Sequence, residues 1–212
     1  MNLPAILFDL DGTLGDTLPI VVQALQETFR LYGGVEYQPH EIATMFGPAE
    51  EGVIRPRVLA ADYPAALRHY LDRYAALHAQ AVEPFQGVIA LLDLLGKKRI
   101  RRGVVTGKGR GTAEISMRAM GLWPYIDALE TGSEAGADKP QAMRRMLEGW
   151  GIAPQQAAYV GDMPYDMQAA REAGLLPLGA AWAATATVKE GDGAAKMFYS
   201  VEDLIIWVNE NS

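Results

Sequence analysis

Short apolar runs alternate with helix-like segments along most of the chain, and this alternation limits the fold more than any other feature. We predict strands at 4–9, 102–106, 128–131, 157–161 and 176–180, and a weaker one at 196–199 before a helix at 201–208. Strands that lack polar alternation and are separated by helices are typical of a parallel sheet covered on both faces. We therefore predict an α/β fold with a Rossmann-like parallel sheet core and helices on both faces.

One region, residues 16–83, contains no convincing strand and breaks this alternation. Its helix-like segments are 17–28, 39–46, 50–59 and 63–80. The pair Asp16-Thr17 caps the first of these segments, and Gly33-Gly34 ends it. Apolar positions at helical spacing support the first and the last of these helices. We predict that 16–83 form an inserted all-helical cap domain, and that 1–15 together with 84–212 form the core domain.

The composition excludes several classes of protein and site. The chain has 212 residues, enough for a sizeable domain with a smaller insert, and its net charge of −7 argues against a nucleic-acid partner. The absence of cysteine excludes disulfides, thiolate metal sites and cysteine nucleophiles. No apolar run approaches the ~20 residues of a membrane helix, and we recognise no signal peptide. We expect a cytoplasmic monomer or homodimer without nucleic-acid or membrane partners.

Polar side chains collect at the carboxyl ends of the predicted strands, where ligands of open parallel sheets bind. The first strand ends in Asp9 and Asp11, the second in Thr106, Gly107 and Lys108, and the fourth in Asp162 and Asp166, while Asp138 and Lys139 begin a helix after the third. Four segments thus bring carboxylates, lysines and a hydroxyl to one edge. Such a set favours a hard divalent cation, above all magnesium, which keeps other positions for water and phosphate oxygens. The sequence therefore predicts an Mg2+ site next to a bound anion.

Each of these residues alone also has an ordinary structural explanation. Asp11-Gly12 is compatible with a hairpin turn, and Lys139 with a solvated surface position. Asp162 and Asp166 are compatible with capping of a helix. In combination and in this order, these explanations become improbable.

The glycine-rich loop at 103–111 suggests a phosphate site of neither of the two familiar nucleotide-binding types. A Walker loop needs four residues between its glycine and Gly-Lys, whereas this loop has fewer, and the third glycine of a dinucleotide fingerprint is missing. We predict instead that the Thr106 hydroxyl and backbone N–H groups at Gly107 hold a phosphate at a helix N-terminus.

Four short motifs, in this order and at this spacing, resemble those of the haloacid dehalogenase-like superfamily of hydrolases. They are DLDGT, VVTGK, DKP and GDMPYD, and together with the helical insert they span nearly the whole chain. The insert resembles that superfamily's C1-type cap. Within the superfamily, the pattern resembles the phosphoglycolate phosphatase-like branch.

The resemblance implies a role for each of the four aspartates. Asp9 would be the nucleophile that forms an aspartyl-phosphate. Asp11 would be the general acid that protonates the leaving alcohol and then the base that activates water. Asp9, the backbone carbonyl of Asp11 and Asp162 would hold magnesium, with Asp166 supporting the ion directly or through water.

The resemblance implies that Thr106 and Lys139 bind the phosphoryl oxygens, and that Lys139 also offsets the charge of Asp9. A cation, a lysine and oriented amides suit phosphoryl transfer, which depends on positioning and charge stabilisation. The position of Lys108 stays open, and a solvent-facing side chain is one of its alternatives.

Other activities of the superfamily fit the sequence less well. Dehalogenases of the resembled superfamily generally lack the second aspartate of the first motif, whereas this chain has Asp11 at that position. Phosphonatases use a cap lysine, and residues 16–83 contain none. A sugar phosphomutase of the beta-phosphoglucomutase-like kind and a non-catalytic protein that binds a phosphorylated ligand stay open. We expect a magnesium-dependent phosphatase that acts on a small phosphorylated metabolite through an aspartyl-phosphate.

The cap is expected to select the substrate by closing over the site. The segment 45–51, with Gly47, is the part that we expect to face the core. Arg55 or Arg57 could bind a substrate carboxylate or a second phosphate. The alternative, which the sequence favours, is that Arg55 and Arg57 are ordinary solvated residues.

Overall fold

Six parallel strands form a single sheet in the computed structural model, which describes residues 3–211. The strands are β1 Ala5–Phe8, β2 Arg101–Val105, β3 Ala128–Glu130, β4 Ala157–Gly161, β5 Leu176–Ala180 and β6 Lys196–Phe198. Their order across the sheet is β3-β2-β1-β4-β5-β6. The predicted strands are confirmed, and each observed end differs from the predicted one by a residue at most.

Nine α-helices lie within residues 3–211. They are α1 Leu18–Thr28, α2 Pro39–Ala43, α3 Glu50–Ile54, α4 Tyr63–Ala81, α5 Val88–Lys97, α6 Arg110–Ala119, α7 Lys139–Trp150, α8 Pro164–Ala173 and α9 Val201–Asn211. A membrane-spanning helix would have to be longer and more apolar than any of those found in this described part of the chain.

Several helix ends differ from the prediction. α2 ends at Ala43, and α3 changes at Arg55–Arg57 into a 3-10 turn, where Pro56 cannot donate the next helical hydrogen bond. Thr17 stands at the N-cap of α1, but its side chain makes no capping hydrogen bond. The same helix runs on through a π-helical turn and ends at Gly34, which has a φ of 65°.

The sheet is covered on both faces because the side chains of each strand alternate between them. Ile6 and Phe8 of β1 belong to an apolar cluster that includes residues of α5, α6 and α9. Ala5 and Leu7 belong to a second cluster with residues of α7 and α8. The predicted Rossmann-like layering is therefore confirmed.

Helices α1 to α4 pack around an apolar cluster of their own. Its members include Leu25, Phe29 and Tyr70, which are fully buried. The segment that leads from the sheet into these helices lies next to the segment that leads back, because Gly15 pairs with Pro84. The helical content agrees with a cap, while the exact division at 16 and 83 stays a prediction.

The register of the sheet aligns the ends of its central strands. Phe8 of β1 lies opposite Val104 of β2 and Val160 of β4. The residues that follow these strands therefore begin at the same level of one sheet edge. This alignment positions the polar segments described next.

Candidate active site

Asp9 directly follows β1 at the middle of the sheet, and both of its carboxylate oxygens have partners. The backbone N–H of Asp9 donates to the carbonyl of Val160 (2.9 Å), which continues the sheet for one residue. Its Oδ1 accepts the N–H of Leu10 (2.7 Å), and its Oδ2 accepts a hydrogen bond from Lys139 Nζ (2.9 Å). The buried side chain is thus held in one orientation.

Three aspartates meet beside this strand end. Asp9, Asp162 and Asp166 each offer an oxygen, and these oxygens lie within 4.8 Å of one another. Asp162 follows β4, and Asp166 lies in the first turn of α8, where its Oδ2 accepts the N–H of Met163 (3.0 Å). Three of the predicted metal-binding residues are therefore in one buried group.

Gly12 makes the close approach of Asp162 possible. It has a φ of 69°, in the left-handed region that side chains with a Cβ rarely adopt. A Cβ at this position would also overlap Asp162 Oδ2. The turn after β1 therefore requires glycine for two independent reasons.

Lys139 is the first residue of α7, and its buried ammonium joins the cluster. It donates to Asp9, to Asp166 Oδ1 (2.7 Å) and to the hydroxyl of Tyr159 (3.2 Å). Burial disfavours the charge of Lys139, but Asp166 and Asp9 outweigh this effect, and its pKa lies well above the usual value. The lysine therefore stays protonated.

Tyr159 is a further residue of this cluster, and it was not predicted from the sequence. Its hydroxyl donates a hydrogen bond to the carbonyl of Val105 (2.8 Å) and accepts one from Lys139 Nζ. Tyr159 therefore links the lysine to the end of β2. Burial, above all, raises the pKa of Tyr159 well above its usual value, so the hydroxyl keeps its proton. The available signal was a single hydroxyl in the otherwise apolar strand AAYVG.

The three carboxylates carry more negative charge than Lys139 can balance. Burial, together with repulsion from Asp9 and Asp166, raises the pKa of Asp162 to about 8. Burial also raises the pKa of Asp166, although Lys139 lowers it. Asp162 Oδ2 is buried without a hydrogen-bond partner. An orphaned oxygen in a group of excess negative charge fits a hard divalent cation such as Mg2+.

Asp11 lies apart from this cluster and faces a different lysine. Its Oδ1 is 3.1 Å from Lys108 Nζ. Burial raises the pKa of Asp11 to about 6, although Lys108 acts in the opposite direction. The possibility that Lys108 faces solvent is wrong, because its side chain is only 2% exposed. Glu50 of α3 and the ring of Tyr74 of α4 lie against it. Both belong to the part of the chain formed by α1 to α4, called the helical segment below.

Thr106 and Gly107 follow β2 beside the cluster. The buried Thr106 hydroxyl accepts the N–H of Lys108 (3.3 Å), and the carbonyl of Gly107 packs closely against Gly132. Thr106 and Lys139 line the same cavity of about 220 Å³. The two predicted phosphate-binding residues therefore share one space, while their roles stay predictions.

A family model described as haloacid dehalogenase-like hydrolase matches residues 6–179, a range that includes all four motifs. The chain belongs to the haloacid dehalogenase-like hydrolases. The family resemblance of the four motifs is thereby confirmed.

The chain is also similar to relatives named as phosphatases, and it shares its fold with a solved structure. A phosphoglycolate phosphatase of Xylella fastidiosa is 31% identical over 186 residues, which are 84% of this chain and 80% of the relative. The pyrophosphatase PpaX of Bacillus velezensis is 28% identical over 180 residues, 84% and 83% of the two chains. CbbY from Rhodobacter sphaeroides, solved in complex with phosphate, has the same fold, with a TM-score of 0.81, 24% identity and coverage of 95% and 96%.

Two predicted substrate-binding residues of this haloacid dehalogenase-like hydrolase lie in the helical segment. The carbonyl of Gly47 approaches Gly136 in the loop after β3. Arg55 pairs with Glu134 of the same loop (2.6 Å), and its guanidinium lies 3.9 Å above the ring of Tyr63. A substrate would have to compete with Glu134 for Arg55. Substrate binding by Gly47 and Arg55 stays a prediction.

Proposed function

We propose that this hydrolase is a magnesium-dependent phosphatase that acts on a small phosphorylated metabolite through an aspartyl-phosphate on Asp9. One observation carries the proposal. Carboxylate oxygens of Asp9, Asp162 and Asp166 lie within 4.8 Å of one another, and Lys139 Nζ lies 2.9 Å from Asp9 Oδ2. Phosphoryl transfer depends mainly on positioning and on charge stabilisation, which this arrangement can supply.

Asp9, Asp162 and Asp166 are the side chains that would hold Mg2+, and the backbone carbonyl of Asp11 is the further ligand that we expect. When bound, the ion supplies positive charge that offsets the negative phosphoryl oxygens. Lys139 adds a second, permanent positive charge next to Asp9. Its contacts with two aspartates and a tyrosine keep it in place while the substrate binds.

In the first step, a carboxylate oxygen of Asp9 attacks phosphorus. A bond from Asp9 to phosphorus forms while the bond to the leaving oxygen breaks, and Asp11 gives its proton to that oxygen. A pKa of about 6 suits Asp11 to carry a proton near neutral pH. The Thr106 hydroxyl and the amide of Gly107 would hold the phosphoryl oxygens during the transfer.

In the second step, Asp11 is a carboxylate and takes a proton from water. The water oxygen attacks phosphorus, the bond to Asp9 breaks, and phosphate leaves. Asp9 returns to its carboxylate form and Asp11 to its protonated form. The net reaction consumes one ester and one water and produces one alcohol and one phosphate.

The test is a screen of the purified protein with Mg2+ against phosphorylated metabolites, with release of phosphate as the measurement. Pyrophosphate and phosphoglycolate belong in the panel because relatives carry the corresponding names. We expect turnover of at least one compound, its loss in Asp9→Asn, and no change in Asp203→Asn, an exposed aspartate of α9.

Three other outcomes would contradict the proposal. An isomeric sugar phosphate formed without free phosphate would support the phosphomutase alternative. Binding of a phosphorylated compound without any product would support the non-catalytic alternative. Full activity after removal of Mg2+ with a chelator would remove the metal from the mechanism.

A further inference from the structure

Lys108 is a buried cation that the proposed chemistry does not use. It lies in the turn between β2 and α6, and its side chain is 2% exposed. Its ammonium is 3.1 Å from Asp11 Oδ1, 3.6 Å from Glu50 Oε1 and 4.9 Å from the ring centre of Tyr74. A lysine is rarely buried without a specific partner, so its contacts require an explanation.

Glu50 is also buried, and it comes from the helical segment rather than from the sheet. Its side chain is 7% exposed, and its Oε2 accepts the N–H of Gly109 (2.8 Å) in the same turn as Lys108. The neighbouring Ala49 donates its N–H to the carbonyl of Ser133 (2.9 Å) in the loop after β3. The start of α3 is therefore docked on two loops of the core.

The two lysines divide the carboxylates of the site between them. Lys139 pairs with Asp9 and Asp166, whereas Lys108 pairs with Asp11 and Glu50. The carboxyl of Asp11 thus pairs with Lys108 and is not a member of the group formed by Asp9, Asp162 and Asp166. Because Lys108 and Glu50 are buried and the side chain of Asp11 is 18% exposed, their attraction is screened less than that of a surface pair.

We propose that Lys108 is a positioning residue that orients Asp11 for proton transfer, and that Glu50 holds Lys108 in place only when α3 is docked. The proposal rests on the proposed function, since it concerns the acid and base of that reaction. Its consequence is that Asp11 reaches its working orientation only with the helical segment closed over the core.

The test uses the dependence of kcat/KM on the leaving group. An alkyl phosphate needs a proton on its leaving oxygen, whereas a nitrophenyl phosphate needs little help from an acid. For Lys108→Met we expect kcat/KM to fall on the order of 100-fold for the alkyl phosphate and less than about tenfold for the aryl phosphate. Glu50→Gln keeps a hydrogen-bond acceptor for the N–H of Gly109 but loses the negative charge. Its kcat/KM should therefore also fall more for the alkyl phosphate than for the aryl phosphate, but by a smaller factor than in Lys108→Met.

Lys97→Met is the matched control, because Lys97 is an exposed lysine that also pairs with an aspartate. It should leave both values unchanged. Equal losses on both substrates in folded Lys108→Met, or no loss on either, would overturn the positioning role. If circular dichroism shows that Lys108→Met does not fold, the losses of kcat/KM in Glu50→Gln on the two substrates are compared instead. Equal losses, or no loss on either substrate, would then overturn the positioning role. An inactive wild-type protein would instead refute the proposed function, and the positioning role with it.

Discussion

Replacing Tyr159 by phenylalanine removes the hydroxyl oxygen that contacts Lys139 and leaves the ring in place. That oxygen donates to the carbonyl of Val105 (2.8 Å) and accepts from the lysine (3.2 Å). Tyr159 is fully buried, and phenylalanine has no atom that could make either hydrogen bond, so both are lost. The ring still fills its space, so no cavity contributes to the effect.

The magnitude follows from these two hydrogen bonds. A neutral hydrogen bond contributes roughly 0.5–1.5 kcal/mol and one to a charged group roughly 1.5–3 kcal/mol, so the free energy of unfolding should fall by about 2–4 kcal/mol. Lys139 keeps Asp9 and Asp166 as partners, so its charge remains while its position loosens. We expect kcat to fall roughly tenfold as a result.

Urea unfolding measures the first quantity, and steady-state phosphate release measures the second. Tyr199→Phe is the matched control, because this tyrosine is exposed and should shift the unfolding free energy by less than about 0.5 kcal/mol. A Tyr159→Phe protein as stable as that control would refute the reasoning. It would mean that the hydroxyl does not support Lys139.

Two further predictions concern the turn after β1 and the stability of the sheet. Gly12→Ala should lower the free energy of unfolding by about 1–2 kcal/mol because of the left-handed φ at this position. Because the new Cβ would displace Asp162, the variant should also need a higher Mg2+ concentration for half-maximal activity. An unchanged magnesium dependence would contradict this prediction. Burial opposes ionisation of Asp127, but hydrogen bonds from Arg102 lower its pKa below the usual 3.8 on balance. Its contribution to stability is therefore complete above pH 3.8 and is lost as the pH falls through the lowered pKa. The difference in urea midpoint between wild type and Asp127→Asn should narrow under those acid conditions, and a constant difference would contradict the prediction.

The cluster of aspartates could be predicted because strand ends carry positional information. Asp9 and Asp162 follow two buried runs, and such runs in an α/β sequence become neighbouring parallel strands. Lys139 begins a helix after a third strand, which directs it to the same edge. In these cases local sequence determines the element, and the parallel sheet brings the elements together.

The supporting contacts depend on packing between distant segments, and the sequence does not encode them locally. Tyr159 is one more bulky residue of a buried strand until Lys139 and Val105 are placed around its hydroxyl. The buried Lys108 likewise lies against Glu50 and Tyr74 of the helical segment, which are distant from it in the sequence. Nothing in the pattern of that segment specifies which loop of the core it covers.

Arg55 shows the same limit for a surface residue. The sequence offers anion binding as one role for Arg55 and favours the alternative of an ordinary solvated residue. Its bidentate partner Glu134 lies 79 positions away, so neither alternative includes the ion pair.

The central claim, transfer of a phosphoryl group to Asp9, is tested most directly by trapping that group on the protein. An Asp11→Asn variant retains the nucleophile but lacks the base that activates water, so a nitrophenyl phosphate, which needs little acid, should load it. After quenching in acid, mass spectrometry of the peptides should find one phosphoryl group on Asp9, only when Mg2+ was present, and none in a variant that also carries Asp9→Asn. A phosphoryl group on another residue, or turnover of the substrate without any modified Asp9, would contradict the account.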